Sequence, residues 1–161
     1  MGVQQPTGTE LFLLFYKVDT ISPDQPEPHA RRAVFQRRHR LAGGDFAPVF
    51  ESRLRKSRGP ITVHLRPTLL DEHRLGLSIG RRFGGAVQRG RFKRLIREAF
   101  RLHRAQLPTP PSGGAYDIVV TTRAHESVDL ERYAAWLLEA VQAAHRVHRK
   151  RVQDQGGRGD D

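Results

Sequence analysis

The sequence contains no cysteine, which excludes disulfides and cysteine-ligated zinc. Acids are scarce beside bases: 17 Asp and Glu stand against 28 Lys and Arg, a formal net charge of +11. Solubility alone needs far less, so a polyanion is the first partner to consider and an anionic membrane the second. Lysine is itself rare, occurring only at Lys17, Lys56, Lys93 and Lys150, so the cationic side chains are overwhelmingly arginine. Arginine forks onto phosphate and stacks on bases. A GC-rich genome also favours it, which weakens that argument. Long apolar runs are missing too. The longest, Leu11 to Tyr16, falls well short of the ~20 residues of a membrane-spanning helix. Glu10 precedes it where a secretory signal would carry basic residues. No membrane span is expected, and a cytoplasmic location fits.

What is present is concentrated in residues 81–104, RRFGGAVQRGRFKRLIREAFRLHR. Nine Arg or Lys stand there against one acid, Glu98. Phe92, Leu95, Ile96, Ala99 and Leu102 recur at helical spacing and point within roughly 120° of one another. Arg89, Lys93, Arg97 and Arg104 flank that stripe, with Arg94 and Arg101 just beyond. The pattern predicts a helix docked on a core by one side, with a dense cationic outer face. Nine cations and one acid leave almost no pairing within the helix, so a merely solvated face is a poor account. Gly84 and Gly85, at its start, add free N–H groups and the positive dipole end.

Residues 1–38 read as an extension, with three prolines and two acids in Ser22–Pro28 and a basic patch from Arg31 to Arg40. A domain over 39–150 follows, and the Gly-rich, charged residues 151–161 read as a disordered tail. Within the domain, Phe46, Val49 and Phe50 share one helical face, with Asp45 as a candidate N-cap and Pro48 in the first turn. Residues 53–58 are a basic loop or a short strand. Ile61–Leu65 alternates as a strand, and Pro67–Glu72 reads as a hairpin turn. Arg74–Ile79 alternates again as its antiparallel partner. The β-branched run Tyr116–Thr122 reads as a central strand. A last helix is expected from an Asp129 cap to Arg149, with Tyr133, Trp136, Leu137, Ala140, Val141, Ala144 and Val147 on its apolar face. The result is an α/β (α+β) two-layer sandwich.

No catalytic machinery is visible. Gly85–Phe92 imitates a phosphate loop, but Arg91 replaces its lysine and Phe92 its magnesium-binding hydroxyl. The acids are scattered, and Asp71-Glu72 sits in the expected turn, so no carboxylate pair suggests a metal nuclease. His145 and His148 lack an evident third ligand and read as a surface pair. Phe46 and Phe50 are expected in the core, with base stacking from a groove as the alternative, and His64 is placed equally well in that groove or in solvent. No catalytic or metal-ligating residue is expected.

The stretch from Arg74 to Phe100, LGLSIGRRFGGAVQRGRFKRLIREAF after its arginine, closely resembles the signature of the bacterial ribonuclease P protein subunit. Phe46 and Phe50 match that family's leading helix, Gly76-Leu77-Ser78-Ile79 its strand motif, and Arg81 and Arg82 its basic pair. Gly84, Ala86 and Val87 match the turn before the helix, and Arg89, Arg91, Lys93 and Arg94 its R-N-R-x-K-R motif. Asp117 to Arg123 matches a later strand, so the likeness covers about residues 40–149. Gly90 and Gly85 depart from it, standing where the family has Asn, and His64 stands where an aromatic is frequent.

The resemblance implies an α-β-β-β-α-β-α order, with a four-stranded mixed sheet and a left-handed β-α-β crossover, like the second domain of a small-subunit ribosomal protein. It implies a catalytic RNA partner bound through Arg81, Arg82, Arg89, Arg91, Lys93, Arg94 and Arg97. It implies that a cleft with Phe46, Phe50, His64, Ser78 and Arg123 takes the single-stranded 5′ leader of precursor tRNA. Catalysis and Mg2+ would then belong mainly to the RNA, with no obligate protein partner. An RNA-binding or ribosome-associated protein of the same fold, without a ribozyme, is the alternative. A DNA-binding module finds no helix-turn-helix spacing to support it.

Overall fold

The computed structural model describes residues 35–157. Among these residues, seven α-helices and β-strands follow one another: α1 (Phe46–Glu51), β1 (Leu54–Arg58), β2 (Ile61–Thr68), β3 (Arg74–Ser78), α2 (Ala86–His103), β4 (Ala115–Thr122) and α3 (Leu130–Gly156). This is the expected order, with the uncertain segment 53–58 resolved as a strand. The strands form one mixed sheet in the order β1-β2-β4-β3.

The run Tyr116–Thr122 lies in β4, which pairs antiparallel with β2 and parallel with β3, so this strand is central as expected. The expected hairpin between β2 and β3 is not formed. Alternation fixes which face a strand buries but not its neighbour. Here β4 arrives through α2 and inserts between the two strands, so Arg74–Ser78 has a parallel partner.

One face of the sheet buries Ile61, Val63, Leu65, Leu75, Ile118 and Val120 beneath α2 and α3. The stripe of α2 that reaches this core is Phe92, Ile96, Ala99 and Phe100. Leu102 is instead exposed. At 100° per residue the buried set centres between Phe92 and Ile96, and Leu102 lies about 100° away on the opposite side from Phe100. In α3 the Asp129 carboxylate accepts from the Arg132 N–H at 2.8 Å, the expected cap. The helix continues to Gly156, into the segment expected to be a disordered tail. Nothing between Lys150 and Gln155 breaks a helix, and the Gly156-Gly157 pair is the first signal that does.

At the other end the described residues begin at Phe35, ahead of the expected domain start at residue 39. Phe35 packs edge-on against Phe100 with ring centroids 5.9 Å apart, and His39 is fully buried. The Leu11–Tyr16 run and the rest of the expected extension to residue 34 lie outside the described residues. His145 and His148 are no surface pair: both ring Nδ1 atoms meet the Tyr116 hydroxyl, at 2.9 and 2.8 Å. A hydroxyl has one proton, so it donates to one imidazole and accepts from the other.

Candidate nucleic-acid interface

Among the described residues, the second face of the sheet is only partly covered. Leu41 and α1 close over Val119 through Val49, with Phe46 packed alongside. Gly76 permits that closeness, since a Cβ there would stand 2.7 Å from Phe46 Cζ. Asp45 occupies the N-cap position of α1 without a side-chain cap bond. Its carboxylate accepts from Arg74 instead, at 3.4 Å.

Phe46 and Phe50 therefore differ in role. Phe46 is the wall of a small core, whereas Phe50 is 38% exposed. Its ring meets the half-buried His64 edge-on, with centroids 4.8 Å apart. His64 Nε2 lies 3.3 Å from Thr121 Oγ1. Burial first, and the charge of Arg55 second, hold the His64 pKa below its ordinary value. A neutral ring with a free face can stack on a base without carrying a charge of its own.

The register reveals a feature that linear reading missed. Ser57 pairs with Thr62, Thr62 with Thr121, and Thr121 with Ser78. Four hydroxyl residues thus cross all four strands in one row, about 14 Å long at ~4.8 Å per strand. Their side chains share the face that carries Phe50 and His64. The individual residues are unremarkable in sequence, and only the strand order aligns them.

The basic residues of α2 divide by environment. Arg91 and Arg94 are exposed, Lys93 and Arg97 half-buried. Arg89 donates from Nη1 to the Gly84 carbonyl at 2.7 Å, so it also ties the helix to the preceding turn. Burial, and then Arg40, lower the Arg97 pKa. The Gly85 N–H is not free, because Gln88 Oε1 accepts from it at 2.9 Å. Gly90, in the second turn of α2, has no packing reason: a Cβ there would meet nothing closer than Arg94 Nη1 at 3.8 Å.

Arg81 and Arg82 stand apart from that flank, in a single 3-10 turn after β3. With Gly80, Phe83, Thr122, Arg123 and Ala124 they line a depression of about 650 Å³. Arg123, assigned by resemblance to the leader cleft, thus meets Arg81 and Arg82, assigned to the catalytic RNA. The parallel pairing of β3 and β4 brings their C-terminal ends together, and the lining contains no acid.

The sequence matches the family described as Ribonuclease P over residues 35–146. The chain belongs to the ribonuclease P protein family. It is 46% identical over 91 residues to the ribonuclease P protein component of Methylococcus capsulatus, covering 55% of this chain and 66% of that protein. It is 35% identical over 103 residues to the Thermotoga maritima component, covering 63% of this chain and 84% of that one. The solved ribonuclease P protein of Thermotoga maritima superposes with a TM-score of 0.54 at 32% identity, over 65% of this chain and 96% of that structure. A Staphylococcus aureus ribonuclease P protein gives 0.53 at 25% identity, over 66% and 94%. The α+β sandwich with its four-stranded mixed sheet is the fold of these ribonuclease P proteins.

Among the described residues, no helix is long and apolar enough to cross a membrane. Nor do three carboxylate, imidazole or thiol side chains converge as metal ligands among them.

Proposed function

We propose that this chain is the protein subunit of a ribonuclease P ribonucleoprotein, which removes the 5′ leader of precursor tRNA in the cytoplasm. Family membership supports the reading, but one observation carries it. A small sandwich presents two different RNA-suited surfaces, and the Arg81–Arg82–Arg123 depression lies where β3 and β4 end beside the open face.

In this reading the α2 flank, with Arg89, Arg91, Lys93, Arg94 and Arg97, neutralises phosphates of the catalytic RNA. The open face takes the single-stranded leader: Phe50 and His64 stack on bases, and the row ending at Ser78 hydrogen-bonds sugars and phosphates. Neither device reads base edges, so leaders of many sequences are accepted. Arg81, Arg82 and Arg123 hold phosphates where the two RNAs approach. In this reading the Mg2+ ions are held mainly by the RNA subunit. The protein strengthens substrate binding and the occupancy of metal sites on its RNA partner.

The test is reconstitution with a bacterial ribonuclease P RNA and precursor tRNA at low magnesium. Leader removal should require both RNA and protein. Cleavage by RNA-free protein, or no stimulation of the RNA, would overturn the proposal.

A further inference from the structure

A second basic surface lies at the β1 edge of the sheet, the opposite edge from β3. Three contacts align α3 antiparallel to β1. Arg58 Nε lies 3.7 Å from the Glu139 carboxylate at one end. Arg151 donates to the carbonyls of Ser52 and Arg53 at 3.2 and 3.0 Å at the other. Between β1 and β2, Gly59 lies so close under Trp136 that a Cβ would be 2.5 Å from Cε2.

Alternation places Leu54, Lys56 and Arg58 on the α3 side of β1, with Leu54 buried and Lys56 exposed. At 100° per residue, Arg132, Arg146 and Lys150 point within about 20° of Glu139, along the flank beside β1. Among the described residues, no carboxylate forms an ion pair with Lys56, Arg132, Arg146, Arg149 or Lys150. Asp154 is the one acid in a shallow groove that Arg146, Arg149 and Lys150 line with Gln153.

Charged edge strands discourage sheet-to-sheet aggregation, which accounts for Lys56 and Arg58. It does not account for cations on a helix. Arg146 and Lys150 are an i,i+4 like-charge pair, which costs the helix a few tenths of a kcal/mol. The field of Arg146 also reaches His145, whose pKa is lowered by burial first and then by Arg149, His148 and Arg146. The span from Arg132 to Lys150 is about 27 Å at 1.5 Å per residue, the reach of a polymer rather than of a small anion.

We propose that the β1 edge and the adjoining flank of α3 form a second phosphate-binding surface for an RNA backbone, separate from that of α2. The inference rests on the ribonucleoprotein reading. That backbone belongs either to the catalytic RNA or to the body of precursor tRNA, and two titrations distinguish them.

The variant is Lys56→Gln with Arg146→Gln and Lys150→Gln, all exposed, with its fold checked by circular dichroism. Binding is measured against salt for protein on catalytic RNA, and for precursor tRNA on the assembled holoenzyme. The slope of log affinity on log salt should fall by about 2 units in one titration, as three lost phosphate contacts require. The titration that changes names the RNA. Arg89→Ala with Arg91→Ala serves as the control. If the control loses slope and the folded triple variant loses none in either titration, the second surface is overturned while the α2 reading stands. If neither loses slope, the ribonucleoprotein reading itself fails.

Discussion

Arg74 grips Asp117 with two parallel hydrogen bonds, Nε to Oδ1 and Nη2 to Oδ2, both 2.7 Å, across the parallel β3–β4 pair. Asp117 is fully buried, and Asp45 at the start of α1 reaches the same guanidinium. One ion pair therefore clamps the two strands whose far ends carry the arginine depression, and it anchors the entry to α1. Asp117 raises the Arg74 pKa, chiefly by hydrogen bonding. Asp117→Ala leaves that charge half-buried beside Asp45 alone and should cost about 3 kcal/mol of stability. Urea unfolding measures it; a loss below about 0.5 kcal/mol would reduce the clamp to an ordinary surface pair.

Gly90 offers the opposite case. It lies in α2, where a Cβ would make only an ordinary contact with Arg94 Nη1 at 3.8 Å, so nothing in the fold requires glycine. Gly90→Ala should stabilise the protein by about 0.5–1 kcal/mol through lower unfolded-chain entropy and better helix propensity. Gly90→Asn, which restores the residue of the resembling family, tests the RNA side. It should bind the catalytic RNA more tightly than Gly90→Ala. Equal affinities would place that amide away from the RNA.

These two positions show what linear sequence carries. The central strand, both long helices and the cationic flank of α2 were legible because periodicity and β-branching act locally. Arg74 was legible as a strand residue, but its partner Asp117 is 43 positions away and pairs only after α2 has crossed over. The hydroxyl row and the meeting of Arg123 with Arg81 and Arg82 depend on the same crossover. The resemblance supplied leader and RNA roles residue by residue, but not that Phe46 would be spent on packing while Phe50 stayed open. The exposure of Leu102 and the burial of Phe100 turned on a rotation of the stripe that spacing alone does not set.

Acid should weaken the fold, and histidines set the direction. His39, His64, His73, His145 and His148 all have pKa values below 6.5, each chiefly because of burial. Glu72 opposes the effect at His39, as do hydrogen bonds at His73, without reversing it. Unfolding returns these rings to ordinary values, so the unfolded chain binds more protons in this range. Their contribution is fully present above about pH 7 and is lost as pH falls through 6.5 toward the folded-state values. The denaturant midpoint should drop between pH 7.5 and 5. His148→Gln, which retains a partner for the Tyr116 hydroxyl but cannot titrate, should flatten part of that drop. A midpoint that rises on acidification would contradict the burial of these rings.

Phe50 is the residue of the open face at which the proposed leader recognition separates most cleanly from folding. Its ring touches His64 edge-on but is 38% exposed, whereas Val49 beside it is fully buried. Phe50→Ala should therefore cost well under the 3–5 kcal/mol typical of a core phenylalanine, about 1 kcal/mol for a partly buried ring. If the ring stacks on a leader base, the same change should weaken holoenzyme binding of leader-bearing tRNA by about 1–3 kcal/mol. Mature tRNA, lacking the leader, should bind almost as before. The comparison is internal, since any general loss of protein or of assembly lowers both affinities together. Equal losses on the two substrates would return Phe50 to a packing role and leave the open face to the hydroxyl row and His64.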